Sequence, residues 1–222
     1  MALPLRPRIS GQALAPFPGR LTALRRASQR LAGCGNLACL LEAALDSICD
    51  EFGIGQVMLL MHDEGRGRLY TLASRGYPES GIGSEIPVGD GVIGICAREK
   101  TPIRIGFTTG EYAYGRTVRE SLAANGQACD LETAIPLPGL PNASSQLAVP
   151  ITAFDRLIGV LYVESVADLH FGYDDEDALV AFAAQLGLAI QHHQCSEEGD
   201  ADDAAPDAQP AAAQVLRDLR HP

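Results

Sequence analysis

The 222-residue sequence has no tryptophan, and its 17 lysines and arginines are outnumbered by 28 aspartates and glutamates, for a formal net charge of −11. A surface so short of cations is poorly suited to a phosphate backbone, so no direct nucleic-acid partner is expected. No apolar run approaches the roughly 20 residues that cross a bilayer, because glycine, proline or a charge interrupts each one. The N-terminal MALPLRPRISGQALAPFPGR also lacks the uninterrupted apolar stretch of a secretory signal. A cytoplasmic location without a membrane partner is the expectation. The six cysteines, Cys34, Cys39, Cys49, Cys96, Cys129 and Cys195, form no C-x-x-C pair. That argues against a disulfide scaffold or a zinc site, and most are read as buried, reduced thiols acting as small hydrophobes.

Hydrophobic residues make up 46% of the chain, enough for one core of moderate size. Residues 1–19 hold Pro4, Pro7, Pro16 and Pro18 and read as an extended leader. Over 21–32, Leu21, Leu24, Ala27 and Leu31 recur at helical spacing opposite Arg25, Arg26 and Arg30, and Gly33 and Gly35 supply the stop. Asn36 caps a second helix whose stripe of Leu37, Leu40, Leu41, Ala44, Leu45, Ile48 and Phe52 ends at Gly53. The runs 56–62 and 68–74 flank Asp63–Gly67 as an antiparallel hairpin.

A Gly- and Pro-rich stretch leads to a short helix over 89–100, started by Asp90 or Gly91, with Val92, Ile95, Cys96 and Glu99 along one face. A strand over 102–106 follows, then a helix over 111–125 closed by Gly126. Residues 127–145 carry too many prolines and glycines for regular structure and read as a lid or loop. The β-branched runs 145–151 and 156–165 form a central hairpin. A long helix starts at Asp174, where acidic residues crowd the first turn, and carries Leu179, Phe182, Ala183, Leu186 and Ile190 to about His193. Residues 196–222 read as an acidic, Ala- and Pro-rich linker entering a further downstream element.

This order of elements over residues 21–194 resembles the GAF fold. The likeness rests on VGDGVIGICAREKTPIRI (88–105), LAVPITAFDRLIGVLYVES (147–165) and FGYDDEDALVAFAAQLGLAIQ (171–191), which look like that family's pocket-side helix and strand, central hairpin and closing helix. PAS domains share much of the layout, but they place helices between the strands rather than at both ends. The resemblance implies an α+β fold: a GAF-like central antiparallel sheet flanked by N- and C-terminal helices, with a pocket covered by a short helix and loop. It also implies a sensory domain over residues 20–195 that binds a small-molecule ligand or cofactor and relays a signal to a downstream effector domain. Neither a cyclic-nucleotide signature nor a bilin-attachment motif is present, so the cofactor is unknown.

In such a fold the ligand region falls within 91–122 and on the strands near 146 and 164. The candidate ligand-binding residues are Cys96, Tyr112, Arg116, Arg119, Gln146 and Glu164. Cys96 reads either as a redox or attachment thiol near a helix start or as a core cysteine. Tyr112, Arg116 and Arg119 share a helix face that suits a carboxylate or phosphate, or that is solvated and pairs with Glu120. Gln146 and Glu164 interrupt apolar strands and need partners, or lie at exposed strand ends. His62, His170, His192 and His193 lack ligand spacing, so no metal site is expected.

The expectation is therefore a regulatory binding module that is not an enzyme, dimerising through the helices at 21–32 and 174–194. The alternatives are a redox enzyme like the GAF-fold free methionine sulfoxide reductases, using Cys96 and Cys129, and a ligand-free dimerisation scaffold.

Overall fold

The structure, a computed structural model, describes residues 19–106 and 137–203, with side chains to residue 196. Helix α1 (Arg20–Ala32) is followed by α2 (Leu37–Asp50). As expected, Asn36 caps α2: its side-chain oxygen accepts the Cys39 amide at 2.8 Å, filling one of the donor sites that every helix start leaves open. Leu40, Ala44, Leu45 and Ile48 are buried along the predicted stripe. In α1 the buried residues are Ala23, Ala27 and Leu31, while Leu21 is 81% exposed. The inward face carries alanines because α1 packs against both α2 and the C-terminal helix α4 (Tyr173–Asp203), and a small side chain lets helices approach closely.

Among the described residues, six strands form one antiparallel sheet in the order β3-β2-β1-β6-β5-β4. They are β1 (Gln56–Asp63), β2 (Arg68–Arg75), β3 (Glu85–Pro87), β4 (Ile103–Ile105), β5 (Ser145–Ala153) and β6 (Arg156–Ser165). The β5–β6 hairpin turns through Phe154 and Asp155, both at positive φ (49° and 62°), the geometry that a two-residue turn needs to match strand twist. β3 is a three-residue edge strand inside the stretch that reads from sequence as turns alone.

Strand alternation divides the core in two. Val57, Leu59, Leu147, Val149, Leu161 and Val163 face α1, α2 and α4 (Tyr173–Asp203). Met58, Leu60, Ala148, Val160 and Tyr162 face α3 (Gly91–Glu99). The buried side of α3 is Ile93, Gly94, Cys96 and Ala97, which shares Cys96 with the predicted face of Val92, Ile95, Cys96 and Glu99 but is rotated away from Ile95 and Glu99. Gly94 sets that rotation, because a Cβ there would lie 2.4 Å from the Pro87 carbonyl oxygen, so this edge must face β3.

α4 opens with Asp174, Asp175 and Glu176, at the positive end of the helix dipole. Gly172 donates its amide to Asp175 at 2.8 Å, Arg20 pairs with Asp175, and Arg104 reaches Glu176 at 2.7 Å. The helix runs to Asp203, past its predicted end near His193. The helix predicted over 111–125 and most of the loop predicted over 127–145 lie outside the described residues.

Candidate functional site

On the α3 side, polar residues form a row across the three central strands. Gln56 of β1 pairs in register with Glu164 of β6, and Glu164 pairs with Gln146 of β5. All three belong to the sheet face that carries Met58, Tyr162 and Ala148, because alternate residues of a strand share a face. Glu164 is 1% exposed. Its carboxylate accepts the Leu140 amide at 2.6 Å and the Tyr162 hydroxyl at 3.2 Å, so the cost of burying a charge is met by donors.

Tyr77 packs against the same core layer. Its hydroxyl is buried and has no hydrogen-bond partner among the described residues. Burial, then the charge of the nearby Glu164 carboxylate and the attraction of the hydroxyl proton to it, raise this hydroxyl well above its ordinary range, so it stays protonated and able to donate, although its geometry toward Glu164 falls short of a formed hydrogen bond. A second polar pair, Thr71 and Ser84, is buried at 2.8 Å where the chain enters β3.

Of the six residues predicted for the site, the structure brings Cys96, Gln146 and Glu164 to the α3 side of the sheet. Gln146 and Glu164 are buried, which removes the strand-end exposure reading. Tyr112, Arg116 and Arg119 lie outside the described residues, as does Cys129. Tyr162 and Tyr77 join the site without having been read from sequence. Tyr162 could have been found, since it stands two residues before Glu164 on the same strand face. Tyr77 could not, because it lies in a segment with no periodicity.

Cys96 is fully buried beside Ile93 and Ala97, and burial pushes its thiol up to about 12. As found, it is a neutral member of an apolar wall. Its folded value lies above the ordinary thiol value of 9.0, so the folded state holds a proton that the unfolded state has released across that window. Stability is therefore full below about pH 9 and falls as pH rises toward 12, by at most about 1.4 kcal/mol per pH unit from this group. Urea titrations at pH 8 and pH 10 should show a smaller alkaline loss in Cys96→Ala than in the wild type. Equal losses would mean that Cys96 is not shielded as described. Elsewhere Cys39 and Cys195 are exposed and Cys34 and Cys49 half-buried, so burial of the thiols holds fully for Cys96 alone among the described cysteines. Cys34 and Cys49 touch only the edge of the core, and Cys39 and Cys195 lie on solvent-facing positions of their helices.

Among the described residues no group of three or more His, Cys, Asp or Glu side chains could hold a metal ion, and no helix is long and apolar enough to cross a membrane.

The sequence model of the GAF domain matches residues 36–190. No curated protein matches the chain. Among solved structures, the chain is similar to the GAF domain of an Acinetobacter phosphoenolpyruvate-protein phosphotransferase, at 24% identity and a TM-score of 0.61, covering 79% of this chain and 95% of that one. It is also similar to the free methionine-R-sulfoxide reductase of Neisseria meningitidis, at 19% identity and a TM-score of 0.60, covering 80% and 91%. A third is a segment of a methyl-accepting chemotaxis protein, at 20% identity and a TM-score of 0.57, covering 77% and 98%. Identities this low carry the fold and not the function. The second likeness overturns the expectation of a module that is not an enzyme: this architecture serves enzymes as well as sensors, and an enzymatic function stays open to the chain. With the family match spanning well over half of its residues, and this sheet and helix arrangement beneath it, the chain belongs to the GAF domain family.

Proposed function

We propose that this GAF domain senses a small polar molecule bound between α3 and the sheet, and relays its presence to a downstream output domain through α4. The observation that carries the reading is the Tyr77 hydroxyl, a protonated donor buried beside the Glu164 carboxylate that makes no hydrogen bond of good geometry among the described residues, in a layer that also holds Tyr162 and Gln146. An unpaired buried hydroxyl costs about 1–3 kcal/mol, and a ligand that accepts its hydrogen bond recovers that cost on binding. Gln146 and Glu164 stay in the proposed site, Tyr77 and Tyr162 are added, and Cys96 is its apolar wall. The route for a signal is short. Gln146 and Glu164 alternate along β5 and β6 with Leu147 and Val163, which join the core layer that holds α4, so a shift in these strands reaches the helix by direct packing.

Two effects of opposite sign test the reading. Tyr77→Phe deletes only the hydroxyl. Without ligand it should be more stable than the wild type in urea unfolding, by about 1–3 kcal/mol. Native mass spectrometry of the purified chain identifies a co-purifying small molecule, and calorimetry with that molecule should show Tyr77→Phe binding roughly 3–10-fold more weakly. Unchanged stability together with unchanged affinity would sink the assignment. The same spectra report whether the chain is the homodimer expected from its terminal helices, on which Leu21 and Val180 stay exposed.

A further inference from the structure

On the far side of the sheet, the junction of α1 and α2 places two sulfurs in contact. Cys34 follows the last turn of α1, where its amide donates to the Leu31 carbonyl at 3.1 Å. Cys39 lies in the first turn of α2, where its amide donates to the capping oxygen of Asn36 at 2.8 Å. Both backbones are thus pinned by helix-end hydrogen bonds, and they hold the side chains together. The Cys39 thiol donates to the Cys34 sulfur at 2.8 Å, and the Cys34 thiol donates to the Arg30 carbonyl at 3.5 Å. A disulfide bond is about 2.05 Å long, so the two sulfurs already stand within about 1 Å of bonding distance. Cys39 is exposed and Cys34 half-buried, which gives the pair one sulfur that solvent reaches freely and one held behind it.

We propose that Cys34 and Cys39 are a reversible redox modification site, a dithiol that a hydroperoxide converts into an intramolecular disulfide. The Cys39 sulfur attacks the outer oxygen of the hydroperoxide. The O–O bond breaks, Cys39 becomes a sulfenic acid and the peroxide leaves as an alcohol, or as water when the oxidant is hydrogen peroxide. The Cys34 sulfur then attacks the sulfenic sulfur, the S–S bond forms and the S–O bond breaks. The hydroxyl leaves as water with the proton that Cys34 gives up. Two thiols are oxidised by two electrons in total and one peroxide is reduced by two. A low-molecular-weight thiol reverses the change by exchange, itself becoming a disulfide. Partial burial first, and the neighbouring Cys39 sulfur second, push the Cys34 thiol up to about 11, which disfavours its thiolate and leaves the attack on the oxidant to the more exposed Cys39.

The site is independent of the ligand reading above. It lies in the helical layer, and α1 is tied to α4 by the bond of Ser28 to Gln185 at 2.6 Å and by the Arg20–Asp175 pair. A crosslink between α1 and α2 therefore acts on the layer that includes the closing helix.

The test uses the full chain, reduced and freed of reductant, then treated with equimolar hydrogen peroxide and alkylated with iodoacetamide. Trypsin releases residues 31–66 as one peptide holding Cys34, Cys39 and Cys49. The expected product has lost two hydrogens and carries its single alkyl group on Cys49, whereas dithiothreitol before alkylation restores three alkyl groups. In Cys34→Ser, dimedone should trap Cys39 as the sulfenic acid. Three alkylated cysteines in the peroxide-treated wild type would overturn the proposal. So would a link from either cysteine to Cys49 or to a second chain.

Discussion

Phe182→Ala should lower the unfolding free energy by about 3–5 kcal/mol, the range for truncating a fully enclosed aromatic. Phe182 has no solvent exposure, and its ring packs on Phe52 with centroids 5.9 Å apart and planes tilted by 58°. The pair joins α4 to the end of α2, and the layer around it already includes Leu179, Leu186 and Ile190, so little can collapse into the space left behind. Against a total stability of about 5–15 kcal/mol for a domain, the loss would bring the protein close to unfolding at moderate temperature. Leu188→Ala is the control: it lies on the same helix but is 51% exposed, and its cost should stay within about 0.5 kcal/mol. Urea unfolding of the three proteins measures both. Similar midpoints for Phe182→Ala and Leu188→Ala would show that α4 is not seated through Phe182.

Gly187→Ala sets two known effects against each other. In an isolated helix alanine is better than glycine by about 1 kcal/mol, so the substitution would stabilise α4 if nothing stood nearby. A Cβ at 187, however, would lie 2.4 Å from the Thr152 carbonyl oxygen and 3.0 Å from its carbon. Those atoms are backbone, held in the β5–β6 ladder, and have no rotamer to change. α4 must lift from β5 or the strand must bend, and strain of this kind costs about 1–3 kcal/mol. We expect the clash to win: a lower thermal midpoint, with the largest gain in amide exchange in α4 and β5. A rise in the midpoint would mean that α4 rides more loosely on the sheet than its contact distances imply. Because the proposed signal passes from the sheet to α4, the same variant should weaken any coupling between ligand binding and the closing helix.

How much of this was legible beforehand varies with the kind of signal. The β6 limits match the run read at 156–165, because its apolar residues are continuous and its start is marked by a short turn. α2 was equally plain, with a capping asparagine and a long stripe. The sequence marks α3 and the burial of Cys96 but not the rest of its buried face, because with nine residues its apolar positions allow more than one face. β3 went unseen, since three residues on a sheet edge show no period. Gln146 and Glu164 stood out as polar residues inside apolar strands, and their burial followed from the pleat.

The amino-acid sequence by itself determined the first two helices, the sheet-forming hairpins and the acidic start of the closing helix, because each depends on neighbours a few residues apart. Tertiary structure decided the rest. Strand register alone puts Gln56, Glu164 and Gln146 in one row, and only the packing of the segment before β3 brings the Tyr77 hydroxyl into the layer they share. Cys34 and Cys39 look unremarkable as letters five positions apart. Their contact depends on how one helix ends and the next begins, and on the hydrogen bonds that fix that bend. Periodicity reports which face of an element is apolar, whereas a site is a meeting of several faces, and that meeting is set by the long-range packing that no local pattern encodes.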